Sequence, residues 1–366
     1  MKKRLSLLAP FFLSLILLTS CSEKRILDEV GLIQIVAYDI TDDEKIKGIF
    51  VVPNYRPDNE IIVEKYEAVA NTSKGIRRKI SAMTEKPIVA GQLRVALYSE
   101  ELAKKGLISI VDTLYRDPSI GNRMNLAIVK GDMKELIMTD YSDRESVAAY
   151  IQNLIRHNID KETLPTQSLH LFLYRYYSDG QDPFMPIIQK NESHIEVTDI
   201  AIFNEDKFGM SIPLKKGFMF KLLLEGYKSG KYELILNGSE EEKEYAVIEN
   251  LNSSTTYFME KKDGTIKFKI NVKMKGQINE YSGKLNMEMK KTLKKIEKQL
   301  AEEIEEESIA LIKSFQEEKV DPIGFGKKYR SKTYNWDSKK FYDEIYPKIK
   351  FDVKVNVQII ETGIVE

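Results

Sequence analysis

Cysteine is almost absent from this sequence, which holds a single one, Cys21, among 366 residues. A lone cysteine cannot close an internal disulfide, and it cannot supply a metal site built from several cysteines. Histidine is nearly as scarce. The three histidines, His157, His170 and His194, lie far apart, and none has a histidine or carboxylate partner at metal-ligand spacing. The sequence therefore predicts no metal centre.

Neither sign of charge is in excess, because Lys plus Arg and Asp plus Glu both number 56 and the formal net charge is +0. Without a basic surplus we expect the body to bind neither nucleic acid nor anionic lipid. The sequence also lacks a Gly-x-Ser-x-Gly elbow and a Walker phosphate loop. We predict no catalytic residues, no cofactor and no enzymatic activity.

The most apolar run stands at the N-terminus. Lys2, Lys3 and Arg4 precede a stretch of Leu, Phe and Ile that ends at Leu18, which is the layout of an export signal. This stretch is shorter than the roughly 20 residues that a membrane-spanning helix needs, and no later segment is apolar enough to span. Residues 1–20 are therefore predicted to be a signal peptide.

Leu18-Thr19-Ser20-Cys21 resembles a bacterial lipobox, in which small residues precede a cysteine that is acylated and becomes the new N-terminus. The alternative is an ordinary secretory signal with an unrelated cysteine. The position of the only cysteine at the end of the signal favours lipidation, and acyl chains such as palmitate anchor firmly because each buried methylene contributes about 0.8 kcal/mol. We predict that Cys21 is the lipidation site and that a soluble body is tethered to a membrane surface.

The periodicity of apolar residues predicts an α+β protein of several domains, because the chain is longer than a single core usually supports. Three strand-like segments between residues 32 and 70 predict an antiparallel meander, and strands and helices then alternate. We place an N-terminal α/β domain at 21–200 and a C-terminal α+β domain at 201–366, which divides again near 280.

In the second half, residues 266–274 and 351–359 alternate strictly between apolar and polar. This alternation is typical of strands in an antiparallel sheet with one buried face. Between them, residues 290–319 predict a long amphipathic helix that covers the sheet. A coiled coil is the alternative, but the apolar spacing breaks between Ile304 and Leu311.

Three further segments have less regular patterns of apolar residues, and their predicted structures are as follows. Residues 153–173 predict a helix followed by a strand, and residues 178–186 predict a surface loop or domain boundary. Tyr174, Tyr176 and Tyr177 are dense enough for a recognition surface, although the edge of a core explains them equally well. Gly324-Phe325-Gly326 lacks the rest of a glycine-rich loop and is predicted to be a turn.

Short motifs follow one another in a characteristic order over nearly the whole mature chain. After the lipobox, they are Arg77-Arg78-Lys79-Ile80-Ser81, Gly91-Gln92-Leu93-Arg94-Val95, Glu100-Glu101-Leu102-Ala103, Arg116-Asp117-Pro118-Ser119-Ile120, Ala127-Ile128-Val129-Lys130-Gly131, Asp179-Gly180-Gln181-Asp182-Pro183, Asp199-Ile200-Ala201-Ile202-Phe203 and Asp321-Pro322-Ile323-Gly324-Phe325-Gly326. The ordered set resembles the Ger(x)C family, the lipoprotein C subunits of nutrient germinant receptors in endospores. One departure is Ser22, where the family usually has Trp.

The resemblance implies a non-enzymatic receptor subunit of a sporulating bacterium, anchored on the outer face of the spore inner membrane. Its partners would be an A-type and a transporter-like B-type membrane subunit, and the receptor would trigger germination in response to nutrients such as amino acids or sugars. Whether this subunit binds the nutrient directly is left open.

Two other classes compete with that interpretation. A solute-binding lipoprotein of an uptake system would show two doubly wound lobes, which the alternating antiparallel strands disfavour. A cell-surface hydrolase would need a catalytic constellation, and the sequence shows none.

Overall fold

The computed structural model describes residues 29–55, 61–141, 146–236, 243–283 and 289–362. The first ten strands, β1 to β10, are Gly31–Leu32, Ile35–Ile40, Ile46–Tyr55, Ile61–Ala70, Ile88–Val89, Val95–Ser99, Asn125–Lys130, Phe184–Asn191, His194–Asn204 and Lys207–Pro213. The helices among them, α1 to α6, are Ser73–Ser81, Glu100–Lys105, Ile108–Tyr115, Met133–Met138, Val147–Asp160 and Leu169–Tyr176.

Eight of these strands form one mixed sheet in the order β10-β9-β8-β7-β6-β2-β3-β4. The central strands β8, β7, β6 and β2 run parallel, and antiparallel strands flank them on both sides. The antiparallel pairs β2–β3 and β3–β4 confirm the predicted meander. Parallel central strands require crossover connections, which the helices supply.

Both faces of the eight-stranded sheet are covered, as the alternation within β2 illustrates. Ile35 and Ala37 belong to the core on the side of α4 and α5. Val36 and Tyr38 point to the opposite core, where α1, α2, α3 and α6 pack. Successive side chains of a strand face opposite sides, so a strand buried on both faces is apolar throughout.

Strands β1 and β5 pair as a small two-stranded sheet. The remaining α-helices and strands form the second large sheet and the helical segments of the C-terminal half. They are the helices α7 Gly217–Leu224, α8 Lys290–Glu317, α9 Phe325–Arg330 and α10 Ser338–Lys340, and the strands β11 Lys231–Leu236, β12 Glu244–Lys262, β13 Thr265–Tyr281 and β14 Lys350–Thr362. Their order in the sheet is β11-β12-β13-β14. The chain therefore has the α+β fold that the sequence predicts, with mixed sheets packed against helices.

Helix α8 is the predicted long amphipathic helix. Ile296, Leu300 and Ile304 are buried along one face, and Leu311 continues this face after the break in apolar spacing. The fully buried Ser308 occupies the break. Because α8 packs on β14 and contacts β11, it covers a sheet rather than forming a coiled coil.

Four local predictions differ from the structure. Residues 178–186, predicted to be a surface loop or domain boundary, are mostly buried and include the first residues of β8. Strands β13 and β14 pair in parallel, not antiparallel, since α8 connects them and returns the chain to the same end of the sheet. The strand predicted within residues 153–173 is instead helical, in α5 and α6. The predicted turn at Gly324 leads directly into α9: Gly324 has a φ of 81° and precedes the first residue of that helix.

Candidate functional site

Two of the sequence motifs, 179–183 and 321–326, meet in space although they lie in different parts of the chain; we call their contact the junction. The N–H of Asp321 donates to Oδ2 of Asp182 at 2.6 Å. In return the N–H of Asp182 donates to the carbonyl oxygen of Asp321 at 3.0 Å. The other oxygen of Asp182, Oδ1, accepts from the N–H of Glu205 at 3.2 Å. The junction thus ties the β9–β10 turn and both motifs together.

The carboxylate of Asp321 organises its own motif. Its Oδ1 accepts from the N–H of Gly324 at 2.8 Å, and its Oδ2 accepts from the N–H of Gly326 at 2.6 Å. A carboxylate that bonds its own downstream backbone fixes a turn. Here the turn sets the start of α9, so the aspartate determines the direction in which that helix leaves the junction.

Glycines allow the two motifs to touch. Gly180 accepts at its carbonyl oxygen from the N–H of Lys327 at 2.8 Å. A Cβ at Gly180 would lie 2.5 Å from the carbonyl carbon of Gly326, and the φ of Gly180 is +89°. Both the positive φ and the close approach exclude any larger residue.

The two carboxyl groups of the junction are buried, with Asp182 8% exposed and Asp321 0% exposed. Burial raises the pKa of Asp182 to about 7, and the charge of Asp321 reinforces the increase. Burial likewise raises the pKa of Asp321 to about 6, against the lowering by backbone N–H donors. The arrangement therefore holds two chain segments together in a manner that depends on pH near neutrality.

Phe325 joins the junction to the four-stranded sheet. Its ring centroid lies 5.2 Å from that of Phe268 on β13 and 4.5 Å from that of Phe351 on β14. Tyr257 on β12 is 6.0 Å away. In the Gly-Phe-Gly sequence, the glycine backbone thus contacts the motif 179–183 closely, and the phenylalanine ring packs against the four-stranded sheet.

Exposed tyrosines lie at the ends of α3 and α6, and the end of α6 precedes the motif 179–183; we call Tyr115, Tyr174 and Tyr177 the tyrosine surface. All three are exposed, Tyr177 most of all at 63%. Lys327 donates a hydrogen bond to the Tyr174 hydroxyl, and this bond lowers the pKa of Tyr174. The Tyr177 hydroxyl contacts Oδ1 of Asp112 at 3.4 Å. Two members of the predicted tyrosine cluster therefore face solvent.

Other motif residues meet on the eight-stranded sheet. Arg77 on α1 pairs with Asp117 after α3, Nη1 to Oδ2, at 2.7 Å. Both residues line a cavity of about 310 Å³, with Tyr38 and Leu93 among its apolar walls. Burial raises the pKa of Asp117, but hydrogen bonds from the hydroxyl and N–H of Ser119 and the ion pair with Arg77 lower it below its usual value.

Cys21, the predicted lipidation site, lies outside the described residues. Within the described residues, no group of three or more His, Cys, Asp or Glu side chains is placed to hold a metal ion. None of the helices described is both long and apolar enough to cross a bilayer.

The sequence does not predict the contact between the motifs 179–183 and 321–326. The only sign of it in the sequence is that both motifs contain Asp and Gly.

Comparison with known proteins agrees with the motif order. The family described as "Spore germination protein N-terminal domain" matches residues 23–190, and the family described as "Spore germination B3/ GerAC like, C-terminal" matches residues 198–363. Together the two matches include both sides of the junction.

Relatives extend over nearly the whole chain. Spore germination protein GerQC of Bacillus cereus is 32% identical over 97% of this chain and 98% of its own length. Spore germination protein KC of Bacillus subtilis (strain 168) is 23% identical over 96% of this chain and 94% of its own length. The crystal structure of the GerBC protein shares the fold, with a TM-score of 0.56 at 15% identity over 89% of this chain and 96% of that one.

The motifs, the matches to both family domains and the identity to GerQC along almost the full length agree, and this chain belongs to the GerAC-like family of spore germination proteins.

Proposed function

We propose that the chain is the C subunit of a nutrient germinant receptor, anchored through acylated Cys21 on the outer face of the spore inner membrane. Its role is to bind an A-type and a B-type membrane subunit and so to take part in triggering germination. The observation that carries this proposal is the 32% identity to GerQC over 97% of the chain. The lipobox and the lone cysteine support the anchor.

An anchor of this kind keeps the body beside its partners. Residues 22–30 separate Cys21 from the first described strand, Gly31–Leu32, and nine residues span at most about 32 Å even when fully extended. Tethering converts binding to a partner in the same membrane into an encounter at high effective concentration. Weak contacts to the membrane subunits then suffice.

The tyrosine surface is the candidate contact for those subunits. Tyrosine contributes strongly to protein interfaces because it offers a large apolar ring with a polar tip. Tyr174 and Tyr177 are exposed at the end of α6, directly before the junction motif 179–183. The junction holds this end of α6 in a fixed position.

A pull-down from spore membranes tests the proposal. We expect the affinity-tagged protein, solubilised in mild detergent, to co-purify with an A-type and a B-type subunit. The double variant Y174A/Y177A should recover much less of them. Phe258→Ala is the matched control, because Phe258 is also exposed, at 53%, but lies on β12.

Recovery of the tagged protein without either subunit would contradict the proposal. Co-purification with a transporter ATPase instead would support the alternative, a solute-binding lipoprotein of an uptake system.

A further inference from the structure

Residues 327–340, which we call the basic loop, contain six basic residues and one acidic residue. Lys332, Lys339 and Lys340 are exposed, and no described carboxylate lies within ion-pair distance of any of them. Arg330 is also exposed and pairs with Asp179 at 3.1 Å. The overall neutrality of the chain therefore conceals a local excess of positive charge.

Aromatic residues stand at the tip of the basic loop. Tyr334 is fully exposed, with nothing of the described chain packed over it. Trp336 is half-buried and packs on Phe341, with 5.2 Å between the ring centroids. Trp336 thus supports the loop from below while Tyr334 projects from it. Tyrosine and tryptophan beside lysine are the residues that favour the headgroup region of a bilayer.

The topology places this loop at the end of the molecule where the tether enters. Ile35, Val95 and Asn125 are direct partners at the start of β2, β6 and β7. Strand β8 runs parallel to β7 and begins at the same edge of the sheet. The chain therefore enters β2 and β8 at the same end of the parallel strands. The residues after the tether precede β2, and the motif 179–183 precedes β8.

The chain enters the body beside β3, because Gly31 lies against Val52 of that strand. Three strands separate β8 from β3, which corresponds to about 19 Å at the usual strand spacing. The basic loop begins within α9, whose first turn is bonded to Gly180 through the N–H of Lys327. The first described residues and the start of the basic loop consequently lie at the same end of the eight-stranded sheet.

We propose that the basic loop docks on anionic lipid headgroups beside the lipid anchor, with Tyr334 at the level of the headgroups. This inference rests on the proposed tether at Cys21 for its membrane side. A positive cluster complements the negative surface of a membrane, and an acyl anchor combined with a basic patch binds more firmly than either signal alone. The contact would fix the orientation of the tyrosine surface relative to membrane partners.

The chain carries its own probe, because Trp336 is its only tryptophan. The full-length protein is added to vesicles of phosphatidylcholine, or of phosphatidylcholine mixed with phosphatidylglycerol, with brominated acyl chains as the quencher. We expect the fluorescence of Trp336 to be quenched at least twofold more in the anionic vesicles, and high salt should remove the difference. In W336F/Y334W, where the tryptophan stands at the exposed tip, the quenching should increase further.

The double variant K332E/K339E should lose the difference between the two lipids. K261E/K262E is the matched control, because these exposed lysines lie at the β12–β13 turn, and it should behave as the wild type. Circular dichroism establishes that all variants are folded.

Equal quenching in both lipids, or no quenching in either, would overturn the proposal. The basic loop would then be a candidate contact for an acidic protein partner. Failure of the acyl anchor is distinguishable from failure of the basic loop. Without the anchor the protein would not bind neutral vesicles, but the difference in Trp336 quenching between neutral and anionic vesicles would still be measurable.

Discussion

Asp182 and Asp321 are 139 residues apart in the sequence, yet each bonds the backbone of the other, through Oδ2 of Asp182 at 2.6 Å and the carbonyl oxygen of Asp321 at 3.0 Å. This reciprocal pair places the start of α9 against the start of β8. Both the tyrosine surface and the basic loop are positioned by it.

Asp182→Ala should destabilise the protein by about 3 kcal/mol, since it leaves two buried N–H groups, those of Asp321 and Glu205, without acceptors. The midpoint of urea unfolding, followed by Trp336 fluorescence, measures the loss. Asp179→Ala is the control: Asp179 is exposed and pairs with Arg330 on the surface, so its replacement should cost less than about 1 kcal/mol. Equal losses in the two variants would show that the junction is not a stabilising contact.

Gly180→Ala should separate the two motifs, because the new Cβ would lie 2.5 Å from backbone atoms of Gly326 and Lys327. Gly131 has almost the same φ, +91°, with no atom within 4 Å of a Cβ. Gly131→Ala therefore reports the backbone strain alone, about 1–2 kcal/mol. We expect Gly180→Ala to lower the melting temperature clearly further than Gly131→Ala, and a similar decrease for both would contradict the close approach.

Stability should fall as the pH rises from about 4 to about 7. Asp182 has a pKa of about 7 in the folded protein, far above the ordinary value of 3.8, and Asp321 one of about 6. The folded state then binds protons that the unfolded state releases, so this contribution is complete below pH 4 and is lost as the pH passes through 6 to 7. The two carboxyl groups titrate as a coupled pair.

Urea midpoints measured across that range test the sign. Asp182→Asn removes one titrating group and should flatten the dependence, whatever its effect on absolute stability. A midpoint that rises with pH over this range would contradict burial of the pair.

Two glutamates of α8 protect an open edge of the second sheet. Oε1 of Glu305 accepts from the N–H of Val355 at 2.8 Å, and Oε1 of Glu297 accepts from the N–H of Ile359 at 2.9 Å. Strand β14 is the last strand of its sheet, and an unprotected edge favours pairing with another chain.

We expect E297A/E305A to lose about 2 kcal/mol of stability and to self-associate. Sedimentation velocity measures the association. E302A/E306A removes two exposed glutamates from the same helix and should remain monodisperse; association in this control as well would trace the effect to lost charge rather than to the free edge.

The sequence could predict what local spacing controls. Ile296, Leu300 and Ile304 recur every four residues, and this repeat defines a helix with one buried face. The alternation within β13 shows which side chains are buried but not which strand lies alongside, because it is the same for parallel and antiparallel partners. The pairing with β14 therefore needed the structure.

The sequence could not predict the junction, for a related reason. Nothing in the spacing around Asp182 indicates a partner 139 residues away, and the polar composition of 178–186 resembles an ordinary loop. The proposed domain boundary at residue 200 stays a prediction, as does lipidation of Cys21.

The most direct test of the account is Cys21→Ala in spores of the bacterium that makes this protein. An acylated Cys21 holds the body at the membrane, so we predict that the variant leaves the membrane fraction and that germination in response to nutrients is slowed. Immunoblotting of fractionated spores and the loss of optical density on germination give the two readouts. Normal germination in spores that contain only the unanchored protein would contradict the account.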